Sequence, residues 1–343
     1  MMRYLILMGL LMCMGAIVRA QTTSAIIPSD QSAIRNPQPV IPSDPNKFAV
    51  IISGVSGEEA YAKQFAEWVS ELRGALTNRL GFAQNNIKIL TEKPIASGTT
   101  RATAEGVRQT LQTLHSSLSP ESTIFIFFIG HGTFDGTQAK FNLVGPDLSA
   151  AAYASLIKSL PARRIVVVNM ASASGEFIKA LANQKHVVIT ATRSGQEQNA
   201  TRFAEHFIKA LSNMEADTDQ NKRISVLEAF DYATKLTAEW YAGAGRLATE
   251  HAVFDDNGDG VGHQKVEAGD GVLAKTTYFD SPEQGARNAA QAALMTERTR
   301  LEAAVEELKT RKEGMKPDEY DVALEKVLVE LAKISRSIRT SQK

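Results

Sequence analysis

The most informative absence in this sequence is cysteine. Among 343 residues only Cys13 is a cysteine, and it lies in an apolar N-terminal stretch that we expect to be removed from the mature protein. A chain without thiols has no disulfide, no thiolate metal site and no cysteine nucleophile. These three kinds of chemistry are therefore excluded for the mature chain.

An excess of charge of either sign is absent as well. Lys and Arg together number 38, as do Asp and Glu, so the bulk charge favours neither nucleic acid nor an anionic membrane surface. After the N-terminal stretch, no apolar run is long enough to span a bilayer. We therefore expect no nucleic-acid partner and no membrane span, and we infer partners from local features.

The first twenty residues are typical of a secretory signal. Arg3 precedes an apolar stretch over residues 5–18, and a small-residue pattern ends at Ala20. Cleavage after Ala20 predicts an exported, soluble protein, either periplasmic or secreted. The alternative is a lipoprotein signal that uses Cys13, but Met12 is a poor residue before a lipidated cysteine.

Residues 21–46 have a composition of their own. They are rich in Pro, Ser and polar residues, and the motif "IPSD" begins at Ile27 and again at Ile41. No apolar period runs through them, which is typical of an extended, disordered linker. We therefore expect the folded part of the chain to begin at Lys47.

From Lys47 onward, short apolar runs alternate with amphipathic segments. The apolar runs are "KFAVIIS", "NIKIL", "TIFIFFIG", "RIVVVNM" and "HVVITAT", and unbroken runs of this kind are typical of parallel strands covered on both faces. The amphipathic segments predict helices near residues 58–80, 103–118, 148–160, 175–182, 199–211 and 226–242. The pattern predicts an α/β domain over residues 47–275, with an open, mostly parallel sheet and helices on both of its faces. Its functional site is expected beyond the carboxyl ends of the strands.

The segment 281–343 differs from everything before it. Two apolar stripes at helical spacing predict two helices, one through Leu294, Leu301, Val305 and Leu308 and one through Tyr320, Leu324, Val327, Leu331, Ile334 and Ile338. Between them, Gly314 is suited to end one helix and Pro317 to open the next. We expect an antiparallel helical hairpin, and the sequence leaves open whether it packs on itself or serves self-association.

Two of the predicted strands end in residues with catalytic potential. The run "TIFIFFI" is followed by Gly130, His131 and Gly132, and the run "RIVVVNM" by "ASASG", which contains Ser172 and Ser174. A histidine between two glycines at the end of a buried strand is pushed to the sheet edge, which suits a general base. The same pattern also fits a loop histidine with an ordinary structural role.

Together, the two strand ends resemble those of the caspase and legumain superfamily of cysteine peptidases. In that family one apolar strand ends in His-Gly and the next ends in Ala-Cys, often followed by a residue and Ser-Gly. Here "FIFFIGHG" corresponds to the first block and "VVVNMASASG" to the second, with Ser172 in the position of the cysteine. The resemblance implies a caspase-like fold, peptide substrates, His131 and Gly132 in the catalytic motif, and Ser172 as the substituted nucleophile.

The exchange of cysteine for serine changes the expected chemistry. A thiol ionises easily, whereas a hydroxyl has a far higher pKa and needs a polarising base held by a third group, and no such group is evident in the sequence. We therefore expect peptide hydrolysis by a His131/Ser172 dyad to be weak or absent. The alternative is a pseudopeptidase that binds a peptide or protein without cleaving it and assembles through its C-terminal helices.

The two serines do not fit the nucleophile elbow of the α/β-hydrolases. That elbow requires G-x-S-x-G, but Met170 and Ser174 flank Ser172 at the glycine positions, and Ser172 and Glu176 flank Ser174. His131 also precedes both serines, whereas the hydrolase histidine follows its serine. This alternative is therefore disfavoured.

Peptidases of the resembled family select substrates through loops that follow their strands. The loop "TATRSGQEQNATRF" occupies a corresponding place, and Arg193, Ser194 and Glu197 are its candidates for lining a substrate pocket. These residues also fit an ordinary solvated loop, and no specificity is inferred from them.

An acidic loop with the spacing of a calcium site lies outside the catalytic motif. The stretch "DTDQNKRISVLE" resembles an EF-hand or dockerin-type loop, in which oxygen ligands recur at fixed positions because calcium is a large, hard cation. The candidate ligands are Asp217, Asp219, Asn221, the carbonyl of Arg223, Ser225 and Glu228. Lys222 stands at the position that normally takes glycine, so we expect weakened binding, because a positive φ costs a residue with a side chain about 1 kcal/mol.

A second acidic stretch, "DDNGDGVGH", has part of the same spacing. Asp255, Asn257 and Asp259 are candidate ligands, and Gly260 is the expected glycine. Val266, however, stands where the closing carboxylate belongs. For both stretches the alternative is a solvated acidic turn without metal.

Overall fold

The computed structural model of the protein describes residues 43–94, 98–267, 269–282, 286 and 288–341. The expected signal segment and almost all of the expected linker lie outside the described residues. The end of that linker already belongs to the fold, because Asp44 pairs with Phe82 and its backbone N–H donates to the carbonyl of Gly81 at 3.0 Å. The first structural contacts therefore precede Lys47 by a few residues.

A central sheet of seven strands organises the chain. Its members are β1 (Lys47–Ser53), β2 (Ile87–Thr91), β3 (Thr99–Arg101), β4 (Thr123–Ile129), β8 (Arg164–Asn169), β9 (His186–Thr190) and β10 (Val253–Asp255). Their order in the sheet is β10-β9-β8-β4-β1-β2-β3. All neighbours are parallel except β10, which runs antiparallel to β9. A small antiparallel sheet contains β5 (Gly132–Phe134), β6 (Ala139–Phe141) and β7 (Leu148–Ser149).

Helices cover both faces of the central sheet. The described helices are α1 (Glu59–Asn78), α2 (Ala104–His115), α3 (Ala150–Lys158), α4 (Phe177–Leu181), α5 (Phe203–Ser212), α6 (Val226–Gly243), α7 (Val272–Thr276), α8 (Ala289–Arg311) and α9 (Pro317–Thr340). Helices α1, α5 and α6 pack on one face of the sheet, and α2, α3 and α4 pack on the other. The predicted α/β class, with a mostly parallel sheet between two helical layers, is confirmed.

Strand β1 shows why the apolar runs form this sheet. Successive side chains of a strand point to opposite faces, and Ala49 and Ile51 enter one apolar cluster while Val50 and Ile52 enter the other. All four side chains are fully buried. An unbroken apolar run is therefore required wherever helices cover both faces of a parallel strand.

Strands β4 and β8 are direct neighbours at the centre of the sheet. Their pairing runs from Thr123 opposite Arg164 to Phe128 opposite Asn169. Because both strands end at the same edge and at the same level, the residues that follow them meet there. This register places the histidine and serine segments side by side.

The short elements were not predicted from the sequence. Strands β3, β5, β6, β7 and β10 have two or three residues each, which is too short for a period of two to be recognised. Helix α5 begins at Phe203 rather than near residue 199. The carboxylate of Glu250 accepts hydrogen bonds from the N–H groups of Arg202 and Phe203, so a residue distant in sequence sets the helix start.

The two C-terminal helices form the predicted hairpin. Pro317 occupies the first turn of α9, where its missing N–H breaks no hydrogen bond. Leu301 and Val305 of α8 and Tyr320 and Ile338 of α9 are buried. None of the described helices is long and apolar enough to cross a membrane.

A buried ion pair connects the hairpin to the α/β domain. The guanidinium of Arg223 contacts Asp280 at 2.6 Å, donates to Thr299 of α8 at 2.8 Å and stacks 3.8 Å from the ring of Tyr278. Burial raises the pKa of Asp280, although the charge of Arg223 acts in the opposite direction. For the Asp280 carboxylate, the cost of burial therefore outweighs the attraction of the nearby cations.

Replacement of Arg223 tests this connection. We expect Arg223→Met to lower the free energy of unfolding by about 3 to 5 kcal/mol, because the buried Asp280 carboxylate would lose its hydrogen-bonded ion-pair partner. Denaturant unfolding of the two proteins measures this difference.

The matched control is Arg300→Met, since Arg300 and Glu297 form an ion pair of similar length at the surface and should be dispensable. The double variant Arg223→Met/Asp280→Asn should recover most of the loss. Equal destabilisation by the Arg223 and Arg300 substitutions would contradict a stabilising role for the buried Arg223–Asp280 pair.

Candidate functional site

His131 follows β4 and lies against the start of α1. Its ring stands edge-on to Tyr61, with 4.7 Å between ring centroids, and lies 5.3 Å from the ring of Phe65. Burial lowers the pKa of His131, while a hydrogen bond with the backbone of Ser56 and the charge of Glu58 oppose that effect. The imidazole is therefore held in an aromatic environment that favours its neutral form.

Ser172 follows β8 at the same edge and is almost fully buried, with 2% of its surface exposed. Its hydroxyl accepts a hydrogen bond from the backbone N–H of Gly132 at 3.2 Å and lies 3.3 Å from the carbonyl of Gly132, to which it donates. The hydroxyl thus uses both its acceptor and its donor capacity on the backbone of Gly132.

Glycine at position 132 is required by this close approach. A Cβ atom there would lie 2.4 Å from the carbonyl oxygen of Ser172, a distance that real Cβ contacts do not reach. The two strand ends therefore meet backbone to backbone, with no side chain between Gly132 and Ser172.

The remainder of the serine turn has a structural role. Ala173 adopts a φ of 52°, and its N–H donates to the carbonyl of Glu197 at 2.8 Å. The hydroxyl of Ser174 pairs with that of Thr192 at 3.1 Å. Ser174 thus stabilises the turn by bonding to the segment that follows β9.

The structure places His131 and Ser172 on adjacent strand ends without a hydrogen bond between them. In the described part of the chain, the hydrogen bonds of the Ser172 hydroxyl go to Gly132 alone. The imidazole of His131 instead faces Tyr61 and Phe65 on α1. A base that does not contact the hydroxyl does not polarise it.

The predicted recognition residues lie on the loop after β9, close to the serine turn. Glu197 accepts hydrogen bonds from the N–H and the ring Nδ1 of His251, the latter at 2.6 Å, and pairs with the guanidinium of Arg193 at 3.2 Å. Ser194 lies close to Gly175, whose Cβ position would be 2.3 Å from the N atom of Ser194. Glu197 therefore holds the loop together, while the Arg193 side chain is exposed.

His251 was missed by sequence reasoning. It precedes β10 and is 54 residues from Glu197, so no local pattern links the two. The only local signal is its position directly before the short apolar run "AVF".

Two clefts are lined by residues that contact His131. One, of about 220 Å³, includes Ser56, Phe65 and Glu92 in its lining. The other, of about 370 Å³, includes Tyr61 and Trp240. Phe65 of the first cleft and Tyr61 of the second both contact the ring of His131, which is itself in the lining of neither.

The first acidic loop brings three carboxylates together. One oxygen each of Asp217, Asp219 and Glu228 lies within 4.8 Å of the others. Glu228 also forms a capping box with Ser225 at the start of α6, and Asn221 donates its backbone N–H to Asp217 and Asp219 at 3.0 Å. The side chain of Arg223 points away to Asp280, which leaves only its carbonyl as a possible ligand.

Mutual repulsion is present in this group of carboxylates. Partial burial and the charges of Glu228 and Asp217 raise the pKa of Asp219, even though its side chain remains accessible to solvent. A cation placed among the three carboxylates would remove that repulsion.

The second acidic loop has the same backbone conformation as the first. Gln220 and Lys222 have φ values of 57° and 69°, and Gly258 and Gly260, at the same loop positions, have 82° and 79°. The first aspartate of each loop accepts the N–H of the residue at loop position 6: Asp217 from Lys222 at 2.8 Å and Asp255 from Gly260 at 2.9 Å. Lys222 therefore adopts the strained angle that the spacing predicts.

In the second loop, Asp270 takes the place of the closing carboxylate, although it lies beyond the position where the calcium-loop spacing expects one. Asp270 accepts the N–H groups of Asp256 and Asn257, the same two loop positions whose N–H groups Glu228 accepts in the first loop. Burial raises the pKa of Asp270 to about 7. Among the described residues, however, only the first loop brings three acidic side chains into one group.

Comparisons with known proteins add little to this geometry. No family model matches the chain, and no curated protein matches it. The crystal structure of protein GSU0716 from Geobacter sulfurreducens is similar over 61% of this chain and 92% of that chain, with 12% identity and a TM-score of 0.41. A likeness at this level carries no argument about fold or activity.

Titration of His131 tests its separation from Ser172. We expect its imidazole to titrate below the ordinary value of 6.5, because burial lowers its pKa, and we expect the same midpoint in Ser172→Ala. Proton NMR of the imidazole signals measures both midpoints.

The control is His131→Gln, which assigns the signal. A catalytic dyad would couple the two groups, so a clear change of the midpoint in Ser172→Ala would contradict the geometry described above.

Proposed function

We propose that this protein is an exported pseudopeptidase, a peptide- or protein-binding module of the caspase and legumain type that does not cleave its ligand. The observation that carries the proposal is the Ser172 hydroxyl, which is 2% exposed and bonded on both sides to Gly132. The alternative is a serine peptidase of weak activity, in which His131 would act as the base.

The chemistry of a hydroxyl favours the pseudopeptidase over the serine peptidase. Serine attacks a carbonyl only when a base removes its proton in the transition state. The Ser172 proton is directed to the carbonyl of Gly132, which is not a base. The oriented Glu197–His251 pair has no hydrogen bond to Ser172 within the described residues.

Resemblance to the peptidases rests on the same strand ends. The His-Gly segment and the Ala-Ser segment follow β4 and β8, which are neighbours, as the two catalytic blocks require if they are to form one site. Loss of the cysteine would leave the scaffold and its ligand surface while removing the nucleophile.

The surface around His131 supports binding. The larger cleft is lined by aromatic and cationic side chains, and Arg202 stacks 4.3 Å from the ring of Trp240. Leu247, also in its lining, is 91% exposed. Tryptophan, tyrosine and arginine are the residues most enriched among those that dominate the binding energy of protein interfaces.

Self-association through the hairpin belongs to the same proposal. On α9, Val322, Leu328 and Val329 are exposed, outside the stripe that packs on α8. This apolar surface would allow two copies to assemble and present two ligand surfaces.

A direct test combines a fluorophosphonate probe with a peptide library. We expect the wild-type protein to bind library peptides, to leave them intact and to remain unlabelled, because its hydroxyl is buried and unactivated. Gel fluorescence reports labelling, and mass spectrometry of the recovered peptides reports cleavage.

The variants Ser172→Ala, His131→Ala and Ser172→Cys complete this experiment. Cleavage by Ser172→Cys alone would support a scaffold that lacks only its thiol. Labelling of the wild type that disappears in both alanine variants would contradict the proposal and establish a serine hydrolase. Absence of peptide binding in every variant would remove the binding module.

Calcium binding at the first acidic loop is a second, independent proposal. It is favoured by the three carboxylates within 4.8 Å of one another and by the raised pKa of Asp219. If calcium binds there, it would hold the segment before α6 in place. The ion would then stabilise the fold without taking part in catalysis.

Replacement of Asp219 gives this proposal two opposite readouts. The pKa of Asp219 is raised in the folded protein. The folded state is therefore destabilised as the pH rises above 3.8, the ordinary pKa of this side chain, and Asp219 ionises. At pH 7 we therefore expect Asp219→Asn to raise the melting temperature in EGTA and to abolish the further rise on adding calcium.

The control is Asp318→Asn, an exposed acidic residue in the first turn of α9, which should leave the calcium response intact. A companion variant, Lys222→Gly, should strengthen the response, because glycine accepts the φ of 69° without strain. A wild-type melting temperature that is the same in EGTA and in calcium would refute calcium binding.

A further inference from the structure

A polar cleft of about 280 Å³ lies at the amino-terminal edge of the central sheet. Its lining includes Lys47, Thr123 and Arg164, which are the first residues of β1, β4 and β8 and lie side by side in register. His131 and Ser172 follow the other ends of these parallel strands. The cleft therefore lies at the opposite edge of the sheet from the candidate site described above.

The opposite wall of the cleft comes from the C-terminal part of the chain. Thr277 and Tyr278 belong to the segment after α7, and Thr299 and Ala303 belong to α8 of the hairpin. A molecule in the cleft would therefore contact both the α/β domain and the hairpin.

Positive charge exceeds negative charge in the lining. The cations are Lys47, Arg163, Arg164 and Arg223, and the carboxylates are Asp44 and Asp280. Arg223 pairs with Asp280, Asp44 accepts the hydroxyl of Ser281 at 3.0 Å, and Lys47 donates to two backbone carbonyls. Two cations are thus left over once these groups have been paired within the fold.

The two remaining cations are the adjacent residues Arg163 and Arg164. Among the described residues, their guanidinium groups have no hydrogen-bond or ion-pair partner. Burial and the charge of Arg163 lower the pKa of Arg164, while the charge of Asp256 acts in the opposite direction. A bound anion would relieve both the burial of this charge and the repulsion between the two arginines.

Both guanidinium groups remain accessible from the cleft. Arg163 is exposed and Arg164 is half-buried, and the nitrogens of Arg164 are not among the fully enclosed atoms that lack a partner. The same holds for the hydroxyls of Thr123 and Thr277, which bond to no other described residue. The cleft thus offers two cationic groups and two hydroxyl donors to a ligand.

This set of donors favours a compact anion with two charges. Guanidinium groups pair with carboxylate and phosphate oxygens through two parallel hydrogen bonds. A phosphate group carries a charge of about −1.5 to −2 at pH 7, which matches two unpaired arginines, whereas a single carboxylate neutralises only one. The volume of about 280 Å³ lies just below the range of about 300 to 1,000 Å³ for pockets that hold drug-sized molecules.

We propose that this cleft binds a phosphate group, held by the guanidinium groups of Arg163 and Arg164 and by the hydroxyls of Thr123 and Thr277. The group comes either from the free ion or from a phosphate monoester, because both present the same oxygens. A phosphate in this position connects the sheet to the hairpin, so it stabilises the folded chain. The proposal is independent of peptide binding at the other edge of the sheet.

The test uses inorganic phosphate and the full mature chain, with EGTA present so that calcium does not interfere. NMR of the arginine side-chain N–H groups identifies the residues that bind. We expect the signals of Arg163 and Arg164 to move and saturate at millimolar phosphate, and the melting temperature to rise. Sodium chloride at the same ionic strength controls for screening. Signals that move no more in phosphate than in chloride would overturn the proposal.

The variants Arg163→Gln and Arg164→Gln remove one guanidinium group each. We expect either change to weaken phosphate binding about tenfold or more, because each removes charge-assisted hydrogen bonds. Neither side chain has a described partner to lose, so the melting temperature without phosphate should stay close to that of the wild type. Arg163 is exposed, so its variant provides the test even if the Arg164 variant is unstable.

The matched control is Arg108→Gln, which removes an exposed arginine of α2 that is not in the cleft lining. This variant should bind phosphate as the wild type does. Equal weakening by the Arg108 and Arg163 substitutions would indicate a general effect of surface charge and overturn the site.

Three further probes define the ligand. Acetate should bind more weakly than phosphate, and equal affinity would overturn the assignment of a doubly charged anion. Phenyl phosphate distinguishes the two sources: binding as tight as that of inorganic phosphate would support a monoester, and binding of inorganic phosphate alone would support the free ion. Sulfate, which has the same shape and charge, should compete with phosphate, and failure to compete would contradict recognition by charge and shape.

The peptide test separates this proposal from the proposed function. Peptide binding should be the same with and without phosphate. Phosphate binding without any peptide binding would overturn the proposed function and support this site, and peptide binding without phosphate binding would do the reverse.

Discussion

The candidate functional edge of this protein depends on the backbone contact between Gly132 and Ser172. Parallel pairing of β4 and β8 brings their ends to one level, and the absence of a side chain at Gly132 lets the two segments meet. The Ser172 hydroxyl then joins them by accepting the N–H of Gly132 and donating to its carbonyl. Under the proposed function, Ser172 stands in the position of the thiol that reaches the substrate in the peptidases that the sequence resembles. Here the side chain serves the contact between two strands, and the chemistry of the edge follows from that difference.

The central α/β architecture was accessible from the sequence because its signals are local and strong. Runs such as "TIFIFFI" and "RIVVVN" are apolar at every position, and burial on both faces explains why. The edge strand β10, with three residues, gave no such signal, because its pairing with β9 is decided by tertiary contacts. The start of α5 was misplaced for a related reason, since Glu250 caps it from 47 residues away.

For the candidate site, the sequence predicted where two residues lie and did not predict their contacts. His131 and Ser172 do lie on neighbouring strand ends, as the two motifs imply. The aromatic environment of His131, formed by Tyr61 and Phe65 of α1, depends on how a helix packs and has no sequence signature. The pairing of Glu197 with His251 and the closing role of Asp270 were missed because each joins residues whose separation matches no known spacing. Local spacing did predict the acidic group at Asp217, Asp219 and Glu228.

A crystal structure of the wild-type protein with a bound library peptide tests the central claim, that Ser172 joins two strands and does not attack the ligand. The account predicts an intact peptide and a Ser172 hydroxyl that keeps its hydrogen bonds to the N–H and carbonyl of Gly132. An acyl bond to Ser172, or a hydroxyl turned to the imidazole of His131, would contradict it.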